Sequence, residues 1–256
     1  MRILISNDDG ILAPGLAALY GAMADLGEVY VVAPSTPQSA AGHGITLRSA
    51  LAVQRLTIDG PPRFEGVSVS GSPADCVRLA IRNLLPAQPD LVLSGINAGS
   101  NVGINVFYSG TVAAAAEAAM FGIPAVAFSL SLDGEVDFVR AAGHCRRVLD
   151  RLLSNGLKAG DLVNVNIPAL SPASPCGVVV VKQSTVGIED IYEPHAHPEG
   201  LEAWRLSDKF CFMPEEHRSD VVALADGCIT ITPLHVDMTN HAKLAELEKD
   251  FRLLDY

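Results

Sequence analysis

No lysine occurs before Lys158 in this 256-residue chain. A Walker-type phosphate loop needs a lysine in its glycine-rich turn, so the first half cannot hold one. Basic charge of any kind is scarce: 18 Lys and Arg face 29 Asp and Glu, a formal net charge of −11. A basic face for nucleic acid is not expected, nor is a surface drawn to anionic lipid. The deficit is uneven, with nine acids against six arginines in residues 1–128 and most of the acid excess beyond them. A small anionic substrate stays open, because a bound metal overrides net charge locally.

Cysteine is sparse and scattered. The five (Cys76, Cys145, Cys176, Cys211, Cys228) form no CxxC motif. A disulfide scaffold or a zinc cluster has no support, and free thiols in a reducing cytoplasm are expected. Long apolar runs are missing too. The most apolar stretch, 111–132, is broken by Glu117, Gly122 and Pro124, and reads as a buried helix followed by a strand. The chain starts directly in a strand-like run, so no signal peptide is expected. Repeats, low-complexity segments, HExxH and GxSxG are all absent. What is left is a globular composition, 49% apolar and 18% charged.

Short apolar runs alternate with helical periodicity along the first two thirds. Arg2–Ser6, Val29–Ala33, Asp90–Ser94, Ile123–Ser129 and Asp161–Ile167 read as strands. Pro14–Leu26, Gly110–Phe121 and Val136–Leu153 read as helices, and Ser72-Pro73-Ala74-Asp75 as a capping box opening another. Residues 45–70 alternate around Gly-Pro-Pro at 60–62 and predict short strands or hairpins. The βα alternation predicts an α/β fold: a Rossmann-like, mostly parallel sheet flanked by helices. Beyond about Pro168 prolines and acids become frequent. The expected division is a catalytic core over 1–170 and an extension over 171–256. The extension is expected to hold a strand at Val178–Val181, a hairpin at 221–232 and a terminal helix at Asn240–Leu254, and to support oligomer contacts.

In such sheets ligands bind beyond the carboxyl ends of the strands. Four constellations fall there. Asn7-Asp8-Asp9-Gly10 places adjacent carboxylates after the first strand. A hard divalent cation would relieve their repulsion; a solvated Asp-Asp-Gly turn is the plainer alternative. Ser39, in the Ser/Gly/Ala-rich loop after the second strand, offers a neutral hydroxyl. Gly95–Gly103 (GINAGSNVG) follows a strand, and its glycines let backbone N–H groups approach an anion. Asn97 within it offers either an amide oxygen to a metal or an NH₂ to a phosphate. Ser109, Gly110 and Thr111 open the alanine-rich helix, where hydroxyls and free N–H groups form an anion site; a simple serine cap is the alternative. Glu117, further along that helix, reads as structural. His43 is the one histidine near these loops, and His195 and His197 read as solvated.

In this order the motifs resemble the SurE (survival protein E) family of nucleotidases. The matching stretches are NDDG with APG (Asn7–Gly10, Ala13–Gly15), AP with Ser and IT (Ala33, Pro34, Ser39, Ile45, Thr46) and SPADCV (Ser72–Val77). PDLVLSGINAGSNVG (Pro89–Gly103), YSGTVAAAAE (Tyr108–Glu117), GIPAVAFS (Gly122–Ser129) and SDVVALADGCITITPL (Ser219–Leu234) follow. The departures at Ala40, Asn105, Ala118 and Cys228 touch none of the ligands the resemblance implies.

The resemblance implies a phosphatase that releases phosphate from nucleoside 5′-monophosphates, and from 3′-monophosphates, by attack of metal-activated water. An exopolyphosphatase side activity goes with it. It implies one divalent cation per subunit, Mg²⁺ or Mn²⁺, on Asp8, Asp9, Ser39 and Asn97. It implies catalytic roles for Asp8, Asp9 and Asn97, and phosphate binding by Gly95, Asn97, Asn101, Ser109, Gly110 and Thr111. A cytoplasmic homodimer or homotetramer acting on a small nucleotide, with no nucleic-acid surface and no membrane partner, completes the expectation.

Other readings fit less well. A haloacid-dehalogenase-type phosphatase separates its two aspartates by one residue, and here Gly10 takes the second place. A receiver-like switch needs an aspartate where Asn97 stands and a core lysine. A nucleotide-binding module without turnover is the alternative that an assay separates.

Overall fold

The computed structural model describes residues 1–60, 62–171, 173–207, 211–215 and 217–251. Its strands are β1 (Arg2–Ser6), β2 (Glu28–Pro34), β3 (Val53–Ile58), β4 (Phe64–Val69), β5 (Leu91–Ala98), β6 (Ala125–Leu130) and β7 (Leu162–Ile167). They continue as β8 (Val178–Val180), β9 (Ile188–Glu189), β10 (Tyr192–Ala196), β11 (Glu202–Leu206), β12 (Cys211–Phe212) and β13 (Ile229–Leu234). The helices are α1 (Pro14–Met23), α2 (Pro73–Leu79), α3 (Gly110–Met120), α4 (Phe138–Asn155), α5 (Asp220–Ala225) and α6 (His241–Phe251).

Nine strands form one sheet in the order β3-β4-β2-β1-β5-β6-β7-β13-β8. The run from β4 to β7 is parallel throughout, so the expected Rossmann-like α/β architecture is present. β3 and β4 make the hairpin expected in 45–70, in antiparallel register from Val53↔Val69 to Ile58↔Phe64.

Period-two alternation splits the core into two layers. Ile3 and Ile5 of β1, Leu91 and Leu93 of β5, and Val126 and Phe128 of β6 face α1 and α4. Leu4, Val92, Ala125 and Ala127 face the other way, against α2 and α3. The second layer is built from small residues: Ala114, Ala115 and Ala118 of α3 meet Ala125 and Ala127 of β6. Alanine on both sides lets α3 lie close to the sheet, which carries its N-terminus to the carboxyl ends of β1 and β5.

The extension differs from expectation at one point. Residues 221–232 form no hairpin. Ser219 caps α5, its Oγ accepting from the Val222 N–H at 3.5 Å, and Ala223 and Leu224 are buried. Cap and burial outweigh the strand preference of Val221 and Val222. The chain then enters β13, which lies between β7, antiparallel, and β8, parallel. A hairpin does occur in the extension, as the separate two-stranded ribbon of β10 and β11. Of the terminal helix, Asn240 precedes α6 and residues 252–254 lie outside the described residues.

Candidate active site

The chain passes from β1 to β2 on one side and returns to β5 on the other, so a crevice opens between the carboxyl ends of β1 and β5. Asn7–Gly10 fills the β1 side. The Asn7 amide pins this turn, its Nδ2 donating to the Gly10 carbonyl at 2.9 Å and its Oδ1 accepting the Gly10 N–H at 3.2 Å. Gly10 has a φ of 100°, a conformation that favours glycine. The turn thereby directs Asp8 and Asp9 to different neighbours.

Asp9 reaches across the crevice. Its Oδ2 accepts the Ala98 N–H at the end of β5, at 2.9 Å. Asp8 is buried and meets α3: its Oδ1 accepts the Thr111 hydroxyl. Helix α3 arrives there on a serine cap, the Ser109 Oγ accepting the Val112 N–H at 3.0 Å. Gly110 is in contact with Asp8, since a Cβ built on it would lie 2.7 Å from the Asp8 Cβ. Burial pushes the proton affinity of both carboxyls up. At Asp8 the Thr111 bond opposes this and the Asp9 charge adds to it; at Asp9 the Ala98 bond opposes it.

The loop after β2 closes the third side. The Gln38 N–H donates to the Asp8 carbonyl at 2.8 Å, and the Gly42 N–H to the Tyr108 carbonyl at 3.0 Å. Ser39 is exposed between these anchors, as are Ala40 and Ala41. Ala40, where the resemblance leads one to expect glycine, has a φ of 56°. On β5, Asn97 donates one N–H of its amide to the Gly99 carbonyl at 2.7 Å, and its amide also carries a second N–H and an acceptor oxygen.

Gly95 and Asn101 turn inward. Gly95 is buried, and a Cβ on it would lie 2.3 Å from the Phe128 carbonyl oxygen of β6. Asn101 donates from Nδ2 to the Ser129 Oγ at 2.8 Å and from its N–H to the Asn166 Oδ1 at 2.7 Å. Both set the course of the loop. Asn164 supports it as well, donating to the Asn101 carbonyl at 2.7 Å. Sequence reasoning missed Asn164 and Asn166. The signal was present, two asparagines spaced by two in an otherwise apolar strand, which puts both on one face.

A second missed group is the cluster around Glu117. This buried carboxylate accepts from His43 Nε2 at 2.8 Å and from Arg78 Nη1 at 2.5 Å. Glu117 is structural, as expected, and it ties the Ser39–His43 loop to α2 and α3. Asp220 does a similar task behind the site, accepting the Gly103 N–H at 2.9 Å and the Ser184 N–H at 2.8 Å.

Asp8, Asp9, Ser39 and Asn97 stand on the three segments that border this crevice and offer two carboxylates, a hydroxyl and an amide oxygen. These are hard oxygen donors, and they suit Mg²⁺ or Mn²⁺. Among the described residues no three His, Cys, Asp or Glu side chains gather as a metal centre, in this crevice or elsewhere. The two raised carboxyls fit the same group, because a bound cation removes the cost of holding adjacent charges out of water.

Fold and site together define a Rossmann-like α/β protein with an acidic oxygen-donor crevice at its topological switch point, faced by a helix N-terminus. Within that class the chain belongs to the Survival protein SurE family, whose model matches residues 3–190. The 5′-nucleotidase SurE of Christiangramia forsetii is 42% identical over 247 residues, covering 96% of this chain and 95% of that protein. The 5′-nucleotidase SurE of Rhodopirellula baltica is 43% identical over 258 residues, covering 99% of each. Among solved structures, the SurE protein of Aquifex aeolicus superposes with a TM-score of 0.82 at 35% identity, over 98% of this chain and 100% of that one.

Proposed function

We propose that this chain is a nucleotidase that hydrolyses nucleoside 5′-monophosphates to nucleoside and phosphate, with a divalent cation held by Asp8, Asp9, Ser39 and Asn97. The observation that carries this reading is the division of labour at the acidic pair. Asp9 is bonded to the end of β5 and Asp8 to the first turn of α3, so the carboxylates and the helix N-terminus meet at one point. A binding module needs the phosphate-attracting helix but not two carboxylates beside it.

When bound, the cation supplies polarisation of the phosphoryl group and activation of water. The chain supplies the rest. Thr111 holds Asp8 in place, and Ala98 holds Asp9. The first turn of α3 offers positive potential to the equatorial phosphoryl oxygens, with Ser109, Gly110 and Thr111 nearest them. One of Asp8 and Asp9 is the acceptor for the attacking water's proton. Gly95 and Asn101 keep the Asn97 loop in register. Beside Ser109 a cleft of about 490 Å³, lined by His43, Val112, Met120 and Leu234 among others, supplies apolar walls for the nucleoside. The same grip on phosphate extends to 3′-monophosphates and to short polyphosphate.

Residues 171–256 are assigned to contacts between subunits of a dimer or tetramer. The β10–β11 ribbon exposes Tyr192, Trp204 and Leu206, and α6 buries none of its residues. A two-stranded ribbon is marginal alone, and a partner would cover it. No described helix is long and apolar enough to cross a membrane, and the setting proposed is cytoplasmic.

The test is phosphate release from AMP and GMP with Mn²⁺ or Mg²⁺, against the same protein in EDTA. Turnover is expected only with metal, and Asp8→Asn is expected to lower kcat by roughly 10²–10³-fold. Equal rates with metal and with EDTA, or near-wild-type turnover by Asp8→Asn in saturating metal, overturn the reading.

A further inference from the structure

Two of the scattered cysteines meet. Cys176 and Cys228 lie 52 positions apart, and the fold brings their Sγ atoms to 3.1 Å. Both are free thiols; Cys176 is exposed and Cys228 is buried. The backbones beside them are held together from two directions. The Cys176 N–H donates to the Gly227 carbonyl at 3.0 Å, and the Ile229 N–H to the Gly177 carbonyl at 2.8 Å. These bonds lead directly into the β8–β13 pairing, which starts at Val178↔Ile229. The sulfurs need to close by only about 1 Å to reach bonding distance. The hydrogen bond between the two thiols, helped by burial, holds the proton on Cys228 and raises its pKa, and the nearby Arg218 guanidinium offsets this only in part.

We propose that Cys176 and Cys228 form a reversible intramolecular disulfide by exchange with a small-molecule disulfide. Accessibility sets the order of steps. The exposed Cys176 thiolate attacks one sulfur of the small disulfide, a mixed disulfide forms, and one small thiolate leaves. The buried Cys228 thiolate then attacks the Cys176 sulfur, the protein disulfide forms, and the second small thiolate leaves. The two protons of the protein thiols end on the two departing thiols. The protein pair is oxidised by two electrons and the small disulfide is reduced by two.

The bond would close the base of segment 177–227. That segment holds the site's outer wall: Gln183 Nε2 donates to the Gly103 carbonyl at 2.8 Å, and Asp220 accepts the Gly103 N–H. Oxidation would therefore restrain the part of the chain that carries these two grips on the Gly95–Gly103 loop.

The experiment treats the full-length protein with oxidised glutathione, then measures intact mass and maps peptides without reduction. The expected result is a mass loss of two hydrogens with Cys176 and Cys228 linked in one peptide pair. Dithiothreitol should reverse it. The oxidised form should melt about 5–10 °C higher, because the closed loop is long. Cys228→Ser should stop at a glutathione adduct on Cys176, and Cys176→Ser should form no intramolecular link. Failure of the wild type to lose two hydrogens, a stable glutathione adduct on wild-type Cys176, or a link through Cys211 instead, overturns the proposal. The wild-type measurement stands even where a variant folds poorly.

Discussion

Gly110 has no room for a side chain, and the lack of room lies on the Asp8 side. An added Cβ would stand 2.7 Å from the Asp8 Cβ and 3.0 Å from both its Oδ2 and the Pro73 Cγ of α2. Gly110→Ala must therefore displace Asp8 or tilt the first turn of α3. The expected outcome is a loss of tenfold or more in kcat/KM, with a stability cost of about 1–3 kcal/mol typical of overpacking. Steady-state kinetics beside a thermal melt checks both numbers. Glu117 makes a different prediction. Burial alone would raise its carboxyl, but the hydrogen bonds from His43 and Arg78 outweigh burial and hold it below the usual range. A carboxyl lowered in the folded state adds stability above its unfolded pKa, and that stability is lost as pH falls through the folded value. Glu117→Gln should therefore cost roughly 1–3 kcal/mol at neutral pH, and the gap to wild type should close in acid. Melting curves from pH 7 downward show it; a gap that stays constant would remove the ion cluster as its cause.

Helix α2 shows what local sequence can specify. Its capping box was legible in Ser72-Pro73-Ala74-Asp75, and both halves are made: the Asp75 N–H donates to the Ser72 Oγ at 3.0 Å, and the Ser72 N–H to the Asp75 Oδ2 at 2.9 Å. The same two side chains have a second task that was not legible. Ser72 Oγ donates to the Gly44 carbonyl at 2.6 Å, and Asp75 accepts both the N–H and the hydroxyl of Thr46. The cap thus holds the far end of the loop that carries Ser39. Ser72→Ala should cost about 1 kcal/mol as a lost cap. It should also weaken the apparent affinity for the activating metal severalfold, read from activity against Mn²⁺ concentration. A stability loss with unchanged metal dependence would confine Ser72 to capping.

Across the molecule, the sheet does not stop where the βα pattern stops. β13 lies inside it, with β7 on one side and β8 on the other. A chain ending at Ser219 loses that strand and leaves the polar residues Asn164 and Asn166 of β7 without their cross-strand partners Thr232 and Thr230. Such a truncation is expected to be insoluble or molten, judged by size exclusion and near-UV circular dichroism. Normal behaviour in both would contradict the placement of β13 as a structural strand. The missing lysine also acquires its meaning at this level. On the proposed reading, phosphate would be met by a helix N-terminus, an amide, hydroxyls and a cation on the two carboxylates, so the first half would need no lysine for it.

What could be read from the chain alone was whatever is written within ten or so neighbouring residues. Strand and helix periods, the α2 cap and the order of the loops all express contacts between near neighbours, and the crevice at the strand ends follows from parallel pairing. The hairpin reading of 221–232 failed for the opposite reason: Val221 and Val222 carry strand propensity, but the Ser219 cap and distant burial partners set α5 there. Three arrangements needed the folded chain. Asn164 and Asn166 face the Asn101 loop, His43 and Arg78 converge on Glu117, and Cys176 meets Cys228. Each joins segments far apart in sequence, where no local spacing records the encounter and only the stacking of strands and helices brings the side chains together.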